Sequence, residues 1–358
     1  MRKFKAGIIG ATGMVGQRFV SLLSKHPWFE ISHLSASARS AGKTYEEAVK
    51  GRWTMEIPLP ANAAAMTVFD AEDISAASGL DFVFCAISLE KELTKQLEEA
   101  YAKADIPVVS NNSAHRETPD VPMLMPEVNA GHIDVIEYQR KRLGTNRGFI
   151  AVKPNCSIQT FVPALHPLYD FGIEQIAVCT YQAISGAGKT FESWPEMVDN
   201  VIPYIGGEEQ KSEREPLKIW GQVDGGVIVN AQKPVISSQC IRVPVSDGHM
   251  AATYVKFSKK PPADEIIERW RGYKSLPLQL ALPSAPKQFL IYHKDDARPQ
   301  TRLDRDSGGG MSVSIGRLRE DCIFDYKFVC LSHNTLRGAA GGGLLTAELL
   351  AAKGYFDR

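Results

Sequence analysis

The chain has 358 residues, of which 44% are hydrophobic and 23% charged, with 41 basic side chains against 41 acidic ones. Its length calls for two domains, because single cores stop growing near this size, and its balanced charge excludes nucleic acid or an anionic membrane as the main partner. The six cysteines, Cys85, Cys156, Cys179, Cys240, Cys322 and Cys330, include no C-x-x-C pair and no cluster with histidine, so the expectation is a reducing cytosol with neither a zinc site nor a disulfide framework.

At the N-terminus Met1-Arg2-Lys3-Phe4-Lys5 leads into Ala6–Ile9, an apolar stretch too short for a signal peptide, and no run along the chain reaches membrane-spanning length. Phe4–Ile9 reads as a strand. It ends in Gly10-Ala11-Thr12-Gly13-Met14-Val15-Gly16, and Gln17–Leu23 then carries apolar residues at helical spacing. Strand, glycine turn and helix form the unit that seats a pyrophosphate on a helix N-terminus, with glycines letting the backbone approach it. The spacing is G-x-x-G-x-x-G rather than G-x-G-x-x-G, and its position after the first strand gives it weight that the glycines alone lack.

A second strand, Phe29–Leu34, ends at Ser35-Ala36-Ser37-Ala38-Arg39-Ser40. An NAD enzyme usually places an acid there for the ribose 2′-hydroxyl. Here no acid stands at the tip, and Arg39 with Ser37 and Ser40 suits a 2′-phosphate, so NADP is favoured over a merely solvated polar loop. Leu80–Ile87 is apolar enough for a strand buried on both faces, Glu90–Ala104 reads as an amphipathic helix, and Ile106–Ser110 as a further strand. Arg116, in the loop that follows, is a candidate anion binder where ligands gather in such sheets; an exposed loop arginine is the plainer reading.

Lys153-Pro154-Asn155-Cys156-Ser157 precedes an apolar helical run. A lone cysteine is most often a small buried hydrophobe, but one at a helix start lies in a field that favours the reactive thiolate. Ile173–Tyr181 reads as a strand leading into a second glycine turn, Gln182-Ala183-Ile184-Ser185-Gly186-Ala187-Gly188-Lys189, suited to close approach to a cofactor ring. Glu208 and Lys211 sit three apart on a charged helix, which is either a solvated face or, facing a cleft, an acid and a base presented together. Ile241–Val245 alternates like a strand, with His249 after it. His249 is a loop histidine or a general acid/base, and in an extended strand Arg242 would line the same site, suited to a carboxylate. Met311–Arg319 alternates as a half-exposed strand of an open sheet, a common subunit interface, and Asn334–Leu350 reads as a small-faced helix packing back on the first domain.

Taken in order, GATGMVGQRF at Gly10, SARSAGK at Ser37, PNCS at Pro154, YQAISGAGK at Tyr181, the EExK stretch at Glu208, IRVPVxxxH at Ile241 and NTLRGAA at Asn334 resemble the aspartate-β-semialdehyde dehydrogenase family over essentially the whole chain. The RPQTRLDR segment at Arg298 and the short insert after Lys189 look like its archaeal and fungal branch. N-acetyl-γ-glutamyl-phosphate reductases share the glycine turn but surround their cysteine differently. The resemblance implies an α/β fold: a Rossmann-type NADP-binding domain over residues 1–155 and 334–358, and an α+β catalytic and dimerisation domain with an open mixed sheet over 156–333. It implies Cys156 as nucleophile, His249 as acid/base and Gln182 as substrate-orienting. Arg242 would take the substrate carboxylate and Glu208 its ammonium, and Arg116, Asn155 and Lys211 would take phosphate. Gly10, Thr12, Gly13, Met14, Val15, Gly16, Ser37, Arg39, Ser40, Ser185, Gly186 and Asn334 would bind NADP(H). No metal is implied, and the implied assembly is a homodimer or homotetramer. The implied reaction, in lysine, threonine and methionine biosynthesis, reduces an acyl phosphate to an aldehyde through a cysteine thioester. Two readings stand beside it: a malonyl-CoA reductase-like acyl-thioester reductase, and a non-catalytic NADP-binding sensor.

Overall fold

A computed structural model describes residues 3–55 and 57–357. The reading of Met1 and Arg2, and the last residue of the expected first domain, lie outside the described residues. The first sheet holds β1 (Phe4–Ile9), β2 (Phe29–Ala36), β3 (Val68–Asp70), β4 (Phe82–Cys85), β5 (Val108–Ser110) and β6 (Ile150–Val152), all parallel, in the order β3-β2-β1-β4-β5-β6. This is the doubly wound dinucleotide-binding topology. Strands β4, β5 and β6 are buried throughout, as their apolar runs require. Ile9 pairs with Cys85, Cys85 with Ser110 and Ser110 with Val152, so Gly10, Ala86, Asn111 and Lys153 leave the sheet in one row. That row is the floor of the cleft.

Seven helices of eight or more residues accompany the sheets among the described residues: α1 (Met14–Leu23), α2 (Lys91–Lys103), α3 (Ile136–Leu143), α4 (Ile158–Leu165), α5 (Glu208–Ile219), α6 (Ala263–Gly272) and α7 (Gly341–Ala352). The second sheet is mixed. It holds β7 (Ile173–Gln182), β10 (Val235–Arg242), β11 (His249–Phe257), β12 (Leu290–His293), β13 (Val313–Glu320) and β14 (Tyr326–Ser332) in the order β10-β7-β11-β14-β13-β12. A separate hairpin pairs β8 (Gln222–Asp224) with β9 (Val227–Val229). On β7, Ile173, Ile176, Val178 and Thr180 are buried against the core, while Ala177, Cys179 and Tyr181 on the other face are half-buried. The helix α4 packs on the inner face of β11, β13 and β14.

Two expectations need correction. Of the strand expected at Ile241–Val245, only Ile241 and Arg242 lie in the sheet, as the end of a longer strand, β10; Val243 N–H still bonds the Gln182 carbonyl of β7, and the chain then leaves the sheet. Strand β13 is not half-exposed over Val313–Gly316. Its first half is buried on both sides, held between β12 and β14, with the Arg298 carbonyl so close that a Cβ on Gly316 would lie 2.3 Å from it.

The chain's last helix returns to the first sheet. Leu344, Leu345, Leu349 and Leu350 share a core with Ala6, Ile8, Phe19 and Phe82. A glycine stripe allows close approach: a Cβ on Gly343 would lie 2.7 Å from Asn111 Oδ1, and one on Gly338, in the turn before α7, would lie 2.9 Å from Cys156 Cβ. Arg337 anchors this return. It is fully buried and donates to both carboxylate oxygens of Glu127, at 2.6 and 3.1 Å.

Candidate active site

Cys156 lies in the turn between β6 and α4. The turn is built by Asn155, whose side-chain oxygen accepts from the Ser157 backbone N–H at 2.8 Å and from its hydroxyl at 2.7 Å, closing the turn that leads into α4. Cys156 Sγ stands 3.4 Å from His249 Nε2. His249 opens β11, and its Nδ1 accepts the Ala183 backbone N–H at 3.0 Å. That bond fixes the tautomer: Nδ1 is bare, so the neutral ring carries its proton on Nε2, facing the sulfur. Burial and the nearby Arg242 guanidinium hold the imidazole's pKa down to about 3, against the pull of Glu208. His249 is therefore a neutral hydrogen-bond donor to the sulfur, not an imidazolium beside it.

Arg242 reaches this centre by a different route from the one expected. It ends β10 and His249 begins β11, and these strands flank β7 on opposite sides. The two meet over Gly186, where an added Cβ would lie 2.9 Å from Arg242 Nη1, 3.1 Å from His249 Cε1 and 3.2 Å from Nε2. Arg242 is buried and donates to the Ala183 carbonyl at 2.6 Å.

Glu208 is buried facing this centre, and Lys211, half-exposed, pairs with it there. Glu208 opens α5 and accepts from Asn155 Nδ2 at 3.0 Å on each oxygen, from Gln182 Nε2 at 3.3 Å and from Lys211 Nζ at 2.9 Å. Burial pushes its carboxyl up, but Lys211 and these donors outweigh it and hold the pKa below the ordinary value. The Asn155 amide is thus committed to Glu208. Arg116 is buried and equally committed: Nε donates to the Lys153 carbonyl at 3.0 Å, Nη1 to Glu215 at 2.9 Å and Nη2 to the Asn111 carbonyl at 3.3 Å. A cavity of about 600 Å³ opens beside Arg116 and Lys211.

The thiolate expected from the helix field is not what the surroundings give. Burial, then the Glu208 carboxylate, push the Cys156 thiol up from its ordinary value, while Lys153, Arg116 and Arg242 pull it down without prevailing. One turn of a short helix is outweighed by desolvation.

The dinucleotide side fits the expected cofactor. Gly10 has φ +83°, and a Cβ there would lie 2.6 Å from the Ala86 carbonyl. Gly13 caps α1 with no side chain to occupy the free N–H groups, and no acid stands in the helix's first turn, where Met14, Val15 and Gly16 follow. Thr12 is partly exposed on the turn, Ser37 and Arg39 are exposed past β2, and Ser40 is tucked beneath them. A cleft of about 210 Å³ runs from Met14 and Arg18 to Ser185 and Lys189. Asn334 is buried and bridges two loops, donating to Ser185 Oγ at 2.8 Å and accepting Gly248 N–H at 2.8 Å, so it also holds the residue before His249.

Three residues were not anticipated. Glu215 accepts Asn155 N–H at 2.6 Å while pairing with Arg116, and it lies two helical turns from Glu208, a spacing visible in the sequence. Asn111 has both side-chain polar atoms buried without a partner, at the floor of the dinucleotide cleft. Lys153, three residues before Cys156, is buried. No sequence pattern marks either Asn111 or Lys153.

Residues 5–136 match the semialdehyde dehydrogenase NAD binding domain, and residues 165–337 match the semialdehyde dehydrogenase dimerisation domain. An aspartate-semialdehyde dehydrogenase of Schizosaccharomyces pombe is 46% identical over 357 residues, 98% of this chain and 98% of its own. One from Methanothermobacter thermautotrophicus is 43% identical over 347 residues, 96% of this chain and 98% of its own. The crystal structure of aspartate semialdehyde dehydrogenase with NADP from Candida albicans is similar at a TM-score of 0.88 and 40% identity, covering 99% of this chain and 100% of that one.

Proposed function

The chain belongs to the aspartate-semialdehyde dehydrogenase family, and we propose that it performs the NADP-dependent, phosphorylating interconversion of L-aspartyl 4-phosphate and L-aspartate 4-semialdehyde, in lysine, threonine and methionine biosynthesis. The observation that carries this reading is the 3.4 Å contact of Cys156 Sγ with His249 Nε2, set among groups of both charge signs. In the reductive direction the Cys156 thiolate attacks the acyl carbon, the C–O bond to phosphate breaks and a thioester remains. Bound NADPH supplies the hydride that reduces the carbonyl carbon. The resulting thiohemiacetal oxyanion expels the thiolate as the aldehyde forms, so the sulfur returns unchanged. His249 Nε2–H donates first to the sulfur and then to the oxygen on which charge develops. Glu208 holds the substrate ammonium, Arg242 its carboxylate, and Gln182 orients it. Lys211 and Arg116 take the phosphate, and Asn155 serves by fixing Glu208. Gly10, Thr12, Gly13, Met14, Val15 and Gly16 would cradle the pyrophosphate, Ser37, Arg39 and Ser40 the 2′-phosphate, and Ser185, Gly186, Asn111 and Asn334 the nicotinamide side.

The likeness over nearly the full chain to aspartate-semialdehyde dehydrogenases favours this substrate over a CoA thioester or a non-catalytic NADP-binding role. We place the domain boundary at Cys156, with 334–358 returning to the first domain, as the core shared by α7 and β1 suggests. The half-buried face of β7 and β11, with Ala177, Tyr181, Ala252 and Tyr254, would pair two copies into at least a homodimer. Six unpaired cysteines favour the cytoplasm. No helix among the described residues is long and apolar enough to cross a membrane.

The test is NADP reduction by aspartate semialdehyde with and without inorganic phosphate, with NAD run in parallel. Turnover that requires phosphate and prefers NADP is expected, and Cys156→Ser abolishes it while NADPH still binds. Phosphate-independent turnover, better use of malonyl-CoA, or an active Cys156→Ser enzyme would sink the reading.

A further inference from the structure

Attack on an acyl carbon needs a thiolate, yet the usual partner of a catalytic thiolate is missing here. His249 cannot become an imidazolium without setting an Nδ1 proton against the Ala183 N–H that Nδ1 now accepts. The positive charge must come from another group facing the sulfur. Arg242, from β10, already donates to the Ala183 carbonyl, and the charge of Arg116 is already matched by Glu215, leaving only its remaining N–H groups for phosphate. Glu208, from α5, opposes ionisation.

Lys153 remains. It lies three residues before Cys156 and is only 2% exposed. Its backbone is locked into the sheet end, with N–H donated to the Ser110 carbonyl at 2.8 Å and its own carbonyl held by Arg116. Its side chain runs along the same glycine stripe that covers Cys156: a Cβ on Gly342, one helical turn past the Gly338 that touches Cys156, would lie 3.3 Å from Lys153 Cδ. Its amine donates to the Pro154 carbonyl, and no carboxylate is paired with it among the described residues. A buried amine with hydrogens to spare and no carboxylate counter-ion, three residues from a partly buried thiol whose ionisation it influences, is a complementary pair.

We propose that Lys153 carries the positive charge that balances the Cys156 thiolate, so that ionising the nucleophile moves a proton from sulfur to the Lys153 amine. The S–H bond breaks, an N–H bond forms, and the net charge of the buried site does not change. That avoids the cost of creating a lone buried anion. The surroundings of the lysine fit an amine that gains and loses its proton. Burial and Arg116 lower its pKa to about 7, Cys156 and Glu215 pull it upward, and Arg337, itself paired with Glu127, adds to the lowering. The influence is mutual, since Lys153 is the strongest of the groups that draw the thiol down. Glu208 then gains a second role. When a substrate ammonium neutralises it, the chief opposing charge is removed and the ion pair forms where the substrate sits.

This inference rests on Cys156 being the nucleophile, and its test needs no substrate. Iodoacetamide alkylation of Cys156 would be followed peptide by peptide across the pH range, in the full-length enzyme, for the native chain, Lys153→Met and Lys153→Gln. Methionine matches the stem without the charge. Glutamine keeps a donor for the Pro154 carbonyl, so it reports on charge alone if the methionine variant does not fold, as judged by NADPH binding. The expected result in either variant is an alkylation midpoint about one unit higher and a rate at neutral pH about tenfold lower, with the alkaline plateau unchanged. An unchanged midpoint in a variant that binds NADPH overturns the proposal, and so does a lowered plateau with an unmoved midpoint, which would mark a packing role. Failure of the nucleophile assignment would show separately, as turnover by Cys156→Ser.

Discussion

Glu208→Gln separates two roles that meet in one carboxylate. Glu208 accepts from Asn155, Gln182 and Lys211 at 2.9 to 3.3 Å. It is also the neighbouring charge that most opposes ionisation of Cys156. A glutamine keeps the shape but turns one oxygen into a donor, which then faces another donor in the cluster. It also loses the charge that holds the substrate ammonium. A buried charge-assisted contact is worth about 1.5–3 kcal/mol, which at about 1.4 kcal/mol per factor of ten raises KM for aspartate semialdehyde about 10- to 150-fold. The sulfur responds in the opposite sense. Without the carboxylate, the force raising the thiol's pKa weakens and the thiolate fraction at neutral pH increases. Cys156 should therefore alkylate several-fold faster with iodoacetamide while aspartyl turnover falls. Steady-state kinetics and peptide-resolved alkylation at one pH read both effects. An unchanged KM would refute the ammonium role, and unchanged or slower alkylation would refute the electrostatic reading of the thiol.

Gly186→Ala places a methyl 2.9 Å from Arg242 Nη1 and 3.1 Å from the His249 ring, two groups that are hydrogen-bonded and cannot retreat freely; kcat should drop about 100-fold for a displacement of order 1 Å, with melting temperature little altered, and near-normal kcat would contradict the placement. Arg337→Met strands Glu127 as an unpaired buried carboxylate and should destabilise the fold by about 3–5 kcal/mol in denaturant titrations, whereas a loss under about 1 kcal/mol would show the pair to be inessential. His33, His115 and His132 are buried and His166 is half-buried, all away from the catalytic centre, and desolvation lowers each pKa below that of the unfolded chain. The unfolded state therefore binds more protons as pH falls below about 6.5, so stability is full above that value and declines beneath it. Urea unfolding at pH 7.5 and 5.5 should show the lower stability at 5.5, and equal or greater stability there would contradict it.

The glycine turn, the runs of Leu80–Ile87 and Ile106–Ser110, and the return of the C-terminal helix were legible because each is a local pattern with one structural use. Strand β13 was misread because its alternation resembles a half-exposed strand, while its burial comes from residues elsewhere in the chain: the core that takes Val313 and Ile315, and Arg298 and Pro299 against Gly316. Cys156 and His249 stood out by residue type and position, and the structure brings them within 3.4 Å. The tautomer of His249 was not legible, since it depends on one backbone N–H from Ala183 across two strands. Lys153 looked like an ordinary residue before a proline. Only the closing of the glycine stripe over it, with Arg116 arriving from another loop, makes it a buried amine. Sequence patterns report what lies along one element, and these features arise where several elements converge.

The most direct test is to mix the enzyme with aspartate semialdehyde and NADP in the absence of phosphate and to follow NADPH and the protein mass together. Hydride removal can then proceed, but the acyl group has no acceptor. The expected result is a burst of about one NADPH per subunit, an aspartyl adduct confined to the Cys156 peptide, and its discharge when phosphate is added. A burst without an adduct, an adduct on another residue, or steady turnover without phosphate would contradict a thioester on Cys156.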